Sequence, residues 1–112
     1  MSKMPLNRKL TLEQLSEASD GAGGYLQSWV ALGTLWANLR AGPGREGLGG
    51  DTSLSSASYV ITIRAAPIGA PSRPRPDQRF RAGLRVFRIL SVADDDRQAQ
   101  YLTCRCVEEV AG

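Results

Sequence analysis

The stretch Ser58-Tyr59-Val60-Ile61-Thr62-Ile63-Arg64 decides the fold of this chain, because it is rich in β-branched residues and alternates in character. Tyr59, Ile61 and Ile63 share one face, and the residues between them share the other. β-branched side chains lose rotamers in a helix but pack well across neighbouring strands. Alternation over this length therefore predicts a β-strand.

Three later segments carry a strand pattern of the same kind. Residues 84–90 are apolar on both faces, and residues 101–107 place one leucine and both cysteines on a single face. Residues 79–81 predict a shorter strand that turns directly into the next one. We therefore expect a mainly β protein, a small antiparallel barrel or sandwich that carries a long flexible loop.

The length of 112 residues is enough for one domain, which we expect to span residues 1–112. A domain of this size buries roughly two-thirds of its unfolded-chain surface, so one modest core is available. No apolar run approaches the length of a membrane span, and the N-terminus does not have the pattern of a signal peptide. We expect no membrane partner and a protein that starts out in the cytoplasm.

The charges are distributed unevenly along the chain. Residues 64–88 carry seven arginines and one aspartate, whereas residues 94–112 carry five acidic residues and two arginines. Such a basic block can face a polyanion, the acidic segment of another copy, or only solvent. The candidate residues for a basic interface loop are Arg73, Arg75, Arg79 and Arg81.

The chain contains no histidine, which removes the most common catalytic base and transition-metal ligand. Cys104 and Cys106 do not form a zinc-binding spacing, and residues two apart in a strand are poorly placed for a disulfide. We interpret them as small side chains on a packed face. We expect no enzymatic activity, no metal and no cofactor.

The sequence patterns of two segments fit either a helix or a strand. Residues 6–12 can form a strand, or Thr11 can cap a short helix with Gln14 at the capping-box spacing. Residues 29–40 have an apolar stripe at helical spacing, which by itself favours a helix. A long, bent strand that curls around a small barrel is the alternative, and it would bury two apolar sets. They are the stripe Trp29, Leu32, Trp36 and Leu39 and the second set Val30, Ala31, Leu35 and Ala37.

Two loops are rich in residues that break regular structure. Residues 42–50 contain five glycines and a proline, without the lysine that ends a phosphate-binding loop, and residues 51–57 have room for one helical turn. Residues 67–76 contain four prolines and two arginines, which predicts an extended, exposed loop. Asp94, Asp95 and Asp96 predict the turn of the last hairpin.

Short motifs follow one another along nearly the whole chain in a distinctive order. They are Asp20-x-x-Gly23-Gly24, Trp29-Val30, Trp36-Ala37, Gly44-Arg45-Glu46, Ile61-Thr62-Ile63-Arg64, Arg79-Phe80-Arg81, Gly83-x-Arg85-Val86-Phe87-Arg88-Ile89 and Tyr101-Leu102-x-Cys104-x-Cys106-x-Glu108-Glu109. Each motif is a packing or turn signature. Their succession resembles the phage head–tail joining family, the stopper or head-completion proteins of long-tailed phages, and especially the version in phage-like gene transfer agents.

The resemblance implies a small β-barrel that assembles into a closed ring, with a hexamer favoured over a dodecamer. The ring would lie in the neck of a phage or phage-like particle, between the adaptor ring beneath the portal and the tail terminator ring. Double-stranded DNA would pass through its channel without sequence-specific contacts. The resemblance also implies that residues 29–40 form the second strand, and that the loop after it gates the packaged DNA.

The gate loop, residues 42–56, has one cation, Arg45, and we expect repetition around a ring to form a belt that contacts phosphates. Glu46 and Asp51 oppose this charge and would keep DNA from adhering. The alternative function is a small nucleic-acid-binding barrel. Such modules place aromatic residues among their basic ones for base stacking, and here only Phe80 and Phe87, both expected in the core, are so placed.

Overall fold

The computed structural model describes residues 5–42, 57–66, 69–94 and 100–109, and within these ranges the chain forms six β-strands. The strands are β1 (Arg8–Ser19), β2 (Tyr25–Ala41), β3 (Ala57–Arg64), β4 (Arg79–Ala82), β5 (Arg85–Asp94) and β6 (Tyr101–Glu109). The described ranges contain no helix, and therefore no helix that could cross a membrane. Residues 11–14 lie within β1, which rules out the short helix considered there. The proposed helical turn at residues 51–57 falls outside the described residues except for Ala57, which begins β3.

Every strand is antiparallel to both of its neighbours, in the order β1-β2-β3-β6-β5-β4. The sheet closes into a barrel because β1 also pairs with β4, from Thr11 opposite Arg81 to Glu13 opposite Arg79. Closure removes the open sheet edges that a flat sheet of this size would expose. The expectation of a mainly β, antiparallel fold is confirmed.

The core fills the barrel with one inward-facing set of side chains from every strand. Its buried members are Leu10, Leu12, Ala37, Ile61, Ile63, Phe80, Phe87, Ile89, Leu102, Cys104 and Cys106. The alternation of β3 is the reason that Ile61 and Ile63 point inward, while Tyr59 packs against the edge of the core. Both cysteines are free and buried, as their interpretation as packing residues requires.

Residues 29–40 lie inside β2, so the helix favoured by their periodicity is wrong and the strand implied by the resemblance is right. β2 pairs with β1 along most of its length and with β3 from Ala37 to Ala41. Pairing with β1, joined by β3 from Ala37 onward, outweighs a local apolar period. The strand does not bury both apolar sets, because Val30 and Trp36 remain exposed.

β1 and β2 extend past the barrel as a two-stranded ribbon, which we call the arm (residues 14–30). Residues 14–19 pair with residues 25–30, and the described residues provide no third strand for them. At the tip, the Asp20 carboxylate accepts hydrogen bonds from the backbone N–H groups of Ala22 (2.8 Å) and Gly24 (3.0 Å). The glycine-rich turn at the tip is therefore held by one aspartate.

Because each strand runs antiparallel to its neighbours, successive connections lie alternately at the two ends of the barrel. The arm, the β3–β4 connection, the end of β5 and the start of β6 lie at one end, which we call the arm end. Ala41, Ala57 and the β4–β5 turn at Gly83 lie at the opposite end, the loop end. The gate loop lies outside the described residues, but the two strand ends that it joins are at the loop end.

The connection between β3 and β4 is not the fully exposed loop that its prolines suggest. Pro74 is buried, and Gln78 is 5% exposed. The backbone N–H of Ile89 donates to the Gln78 carbonyl and that of Asp77 donates to the Ile89 carbonyl, each at 3.0 Å. These bonds hold the end of the connection against β5 and bring its arginines close to the barrel.

Candidate interaction surfaces

Glu13 joins β1 to β4 where the barrel closes. Its carboxylate accepts hydrogen bonds from Arg79 Nε (2.7 Å) and Arg81 Nε (2.8 Å), and the residue is 4% exposed. The register causes this meeting, because Glu13 is opposite Arg79 and Arg81 is two residues further along the same outer face. Burial alone raises the pKa of the Glu13 carboxyl, but the hydrogen bonds and charges of the two arginines outweigh it and hold the pKa below its ordinary value.

Trp29 extends this cluster to the base of the arm. The Arg79 guanidinium carbon lies 4.0 Å from the centre of a Trp29 ring, a cation–π geometry. Arg79 therefore contacts β1 through Glu13 and β2 through Trp29. These contacts connect the base of the arm to the strand that closes the barrel.

A second ion pair joins β5 and β6 at the loop end of the barrel, where Arg85 and Glu108 continue the inward-facing rows of Phe87 and Cys106. Arg85 binds Glu108 through two hydrogen bonds, Nε to Oε2 (2.8 Å) and Nη2 to Oε1 (3.0 Å), and also donates to the Tyr59 hydroxyl (3.0 Å). The bonds from Arg85 lower the pKa of the Glu108 carboxyl against the smaller opposing effect of burial. The pKa of Arg85 is raised, mainly by the same bonds, so the pair is fully charged at neutral pH.

The four arginines of the expected basic interface loop do not form one continuous surface. Arg79 and Arg81 belong to β4 and bind Glu13. Arg73 donates to the Ala66 carbonyl (3.0 Å) and to Asp94 (3.4 Å). Arg75 is exposed, and its guanidinium has no ion-pair partner within the ranges the structure describes. Arg75 is thus the residue of this group best placed to meet another molecule.

Much of the charge complementarity seen in the sequence is satisfied within the chain. Arg73–Asp94, Arg85–Glu108 and Arg88–Glu109 (3.8 Å) each pair the basic block with the acidic segment. The sequence did not reveal Glu13 as a partner of the arginines, because it depends on barrel closure. The available signal was the alternation Arg79-Phe80-Arg81, which places both arginines on one face of a strand.

Arg45, Glu46 and Asp51, the candidate residues of the gate loop, lie outside the described residues. The described residues that flank the loop are well fixed. The Gly42 backbone N–H donates to the Ser58 carbonyl (2.7 Å), and Ala41 is opposite Tyr59 in the β2–β3 register. The strands on either side of the loop are therefore paired up to its base.

The arm and its base expose apolar side chains, and Tyr25 and Leu26 among them have no place in the sequence motifs. Tyr25 is 72% exposed, Leu26 63% and Val30 46%. Leu32 lies at the junction with the barrel, where the β1–β2 register shifts between Leu12 and Glu13. The signal in the sequence was the excess of apolar residues in 25–36 over what one face of a strand can bury.

Beside the base of the arm lies an apolar groove of about 280 Å³. Residues that line it include Leu6, Leu12, Leu32, Leu35, Ile63 and Ser72. A more polar cavity of about 270 Å³ shares Leu32 with the groove and is lined by Arg73 and Arg75, among others. The arm end thus combines an apolar recess with a basic margin.

The described residues show no catalytic constellation. Burial raises the pKa of Cys104 to about 12, and it also raises the pKa of Cys106, so neither thiol is a nucleophile at neutral pH. Nowhere in the described ranges do three or more His, Cys, Asp or Glu side chains form a group that could hold a metal ion. Phe80 and Phe87, the aromatic residues within the arginine block, are fully buried and cannot stack on bases.

Comparison with known proteins assigns the family. The family model described as "Phage head completion protein" matches residues 1–109. One similar solved chain belongs to the virion of a native gene transfer agent particle, with 49% sequence identity and a TM-score of 0.79 over 98% of this chain and 100% of that chain. A Shigella flexneri 2a protein solved in solution shares the fold, with 23% identity and a TM-score of 0.68 over 99% of this chain and 98% of that chain. No curated protein sequence is similar enough to this chain to count as a match.

The chain belongs to the phage head completion protein family and is a structural component of a phage or gene transfer agent particle, not an enzyme.

Proposed function

We propose that this protein forms a closed ring in the neck of the particle, between the adaptor ring beneath the portal and the tail terminator ring. The observation that carries the proposal is the family match along residues 1–109, together with 49% identity to a chain of a gene transfer agent virion. A ring multiplies a small contact on each subunit into a continuous collar. A hexamer is favoured over a dodecamer.

The two ends of the barrel fit a protein that joins two different partners. The arm end carries exposed apolar side chains and Arg75, whereas the loop end carries the base of a glycine-rich loop. Because the ends differ so much in chemistry, one end can bind the head side while the other binds the tail side. Arg75 is the proposed charged contact of the arm end, and Arg75→Glu should lower the yield of joined particles while leaving the barrel intact.

A strain that produces the particles but lacks this chain tests the proposal. We expect filled or leaking heads and free tails, with tailed particles restored when the gene is supplied again. The count of tailed particles in electron micrographs is the readout. Normal numbers of tailed particles without the chain would overturn the proposal.

The gating role of the loop is a separate part of the proposal and rests on the sequence and the family. Glycines let a loop rearrange at low cost, and Arg45 repeated around the ring would contact DNA phosphates, with Glu46 and Asp51 limiting adhesion. Replacement of residues 44–50 by a short turn should preserve the barrel, because Gly42 and Ser58 already bring the strands together. We expect heads that leak DNA before the tail is added. If such heads retain their DNA, the gate is wrong while the connector role stands.

A further inference from the structure

One face of the arm carries no charged side chain, and no described residue of its own chain covers the leucine and the valine on it. Leu26 is opposite Ala18, and Val30 is opposite Gln14, on the face that carries no charged side chain. A two-stranded ribbon is only marginally stable in water unless a third element covers one of its faces. The exposure of Leu26 and Val30 therefore indicates a surface that is completed by another molecule.

The apolar groove at the base of the arm has the size and lining to receive such side chains. Its volume of about 280 Å³ is roughly twice that of an engineered cavity of about 150 Å³ that binds benzene. Leu12 and Ile63 form part of its lining and belong to the buried core. A side chain that enters the groove would therefore pack directly against the barrel interior.

The arm cannot fill the groove of its own chain. Leu32 lines the groove, and Leu26 lies six residues further along an extended strand, or roughly 20 Å away at about 3.4 Å per residue. The two surfaces are also different from each other. An arm can therefore contact a groove only between two copies of the chain. Such a contact is head-to-tail, the kind that closes into a ring.

The charges of the two surfaces are complementary. The arm carries Glu17 and Asp20 and no lysine or arginine, although the whole chain has a net charge of +3. Arg64 lines the groove, and Arg73 and Arg75 line the cavity beside it. A ribbon with exposed apolar side chains and two acidic residues thus matches an apolar groove with a basic margin.

We propose that the arm of each subunit docks into the apolar groove of a second copy of this chain, with Leu26 and Ala18 entering the groove and the acidic tip facing the arginines. The proposal rests on the ring assembly proposed above and names the surfaces that build it. The arm is then the element that links neighbouring subunits, and the groove at its base is the site that holds the arm of the next.

Cysteine cross-linking in assembled particles tests the contact. A chain with Leu26→Cys and Ser72→Cys, present with the other particle proteins and then oxidised, should give a ladder of covalent multimers on a non-reducing gel. Ala18→Cys with Ser72→Cys is the second pair, because Ala18 is opposite Leu26. The native cysteines do not compete, since Cys104 is 0% and Cys106 2% exposed.

The matched control replaces Leu26→Cys by Leu84→Cys, because Leu84 is 95% exposed but lies in the β4–β5 turn at the loop end. With Ser72→Cys it should give no ladder. Mixing purified single variants adds a test of geometry, because a head-to-tail contact links the Leu26→Cys variant only to the Ser72→Cys variant and neither variant to itself.

Two results would overturn this proposal and leave the connector role intact. One is the formation of tailed particles in which the chain stays monomeric after oxidation, both with Leu26→Cys plus Ser72→Cys and with Ala18→Cys plus Ser72→Cys. The other is a Leu26→Cys variant that cross-links only to another particle protein. Failure of the connector role would instead be seen in the strain that lacks the chain.

Discussion

At the scale of single residues, the cluster of Glu13, Arg79 and Arg81 has the clearest structural role. One carboxylate neutralises two arginines at the junction that turns a sheet into a barrel. The sequence predicted β4 and the outward direction of both arginines, but assigned them to an interface. Their partner lies 66 residues away from Arg79, and only barrel closure brings the two together.

Glu13→Ala should lower the free energy of unfolding by about 2–3 kcal/mol. The change leaves two arginines without their shared carboxylate, and partial exposure of the guanidinium groups limits the cost. Urea denaturation followed by tryptophan fluorescence measures the effect. Arg75→Ala is the matched control and should change stability by less than about 0.5 kcal/mol. Equal effects of the two substitutions would contradict the role assigned to Glu13.

Stability should also depend on pH in the acidic range. The folded state lowers the pKa values of Glu13 and Glu108 below the ordinary value of 4.5. At low pH the unfolded state therefore binds more protons, so the stabilisation is present above about pH 5 and is lost as the pH falls through the lowered values. Denaturation curves measured between about pH 3 and pH 7 should show this loss of stability. The Glu13→Gln variant should lose less stability over the same range. A stability that rises on acidification would refute the assignment.

At the scale of elements, β2 is the strand whose conformation the local sequence pattern predicted wrongly. Its apolar spacing fits a helix, but pairing with β1 and β3 determines its conformation. By contrast, β3 and β6 alternate cleanly, and their core residues were identified correctly because each strand presents one face to the barrel. The arm could not be predicted in this way, since its apolar residues are not buried within one chain.

Gly33 adopts a backbone conformation that favours glycine and should resist substitution. Its φ is +149°, and it lies beside the register shift where β2 leaves the barrel. An added Cβ would meet no atom within 4 Å, so the cost of Gly33→Ala is backbone strain, about 1–3 kcal/mol. Thermal unfolding measures it, with Thr34→Ala as the neighbouring control. A variant as stable as the native protein would show that the arm base tolerates other conformations.

At the scale of the whole molecule, the barrel separates two kinds of surface. The closed antiparallel fold follows from the alternating strands, and strand order places the arm and the two strand ends that the gate loop joins at opposite ends. Strand order joins β3 to β6 rather than to β4, a long-range choice that local patterns do not encode. The family resemblance provided what local patterns could not, because it reflects the chain as a whole.

The most direct test of the connector role is an electron cryo-microscopy reconstruction of the neck of particles that contain this chain. We expect a closed ring of these barrels between the head and the tail, with the arm of each subunit on its neighbour and the gate loop directed towards the channel. Density for this chain in the capsid shell or the tail tube, or a neck built without it, would show that the chain is not the connector.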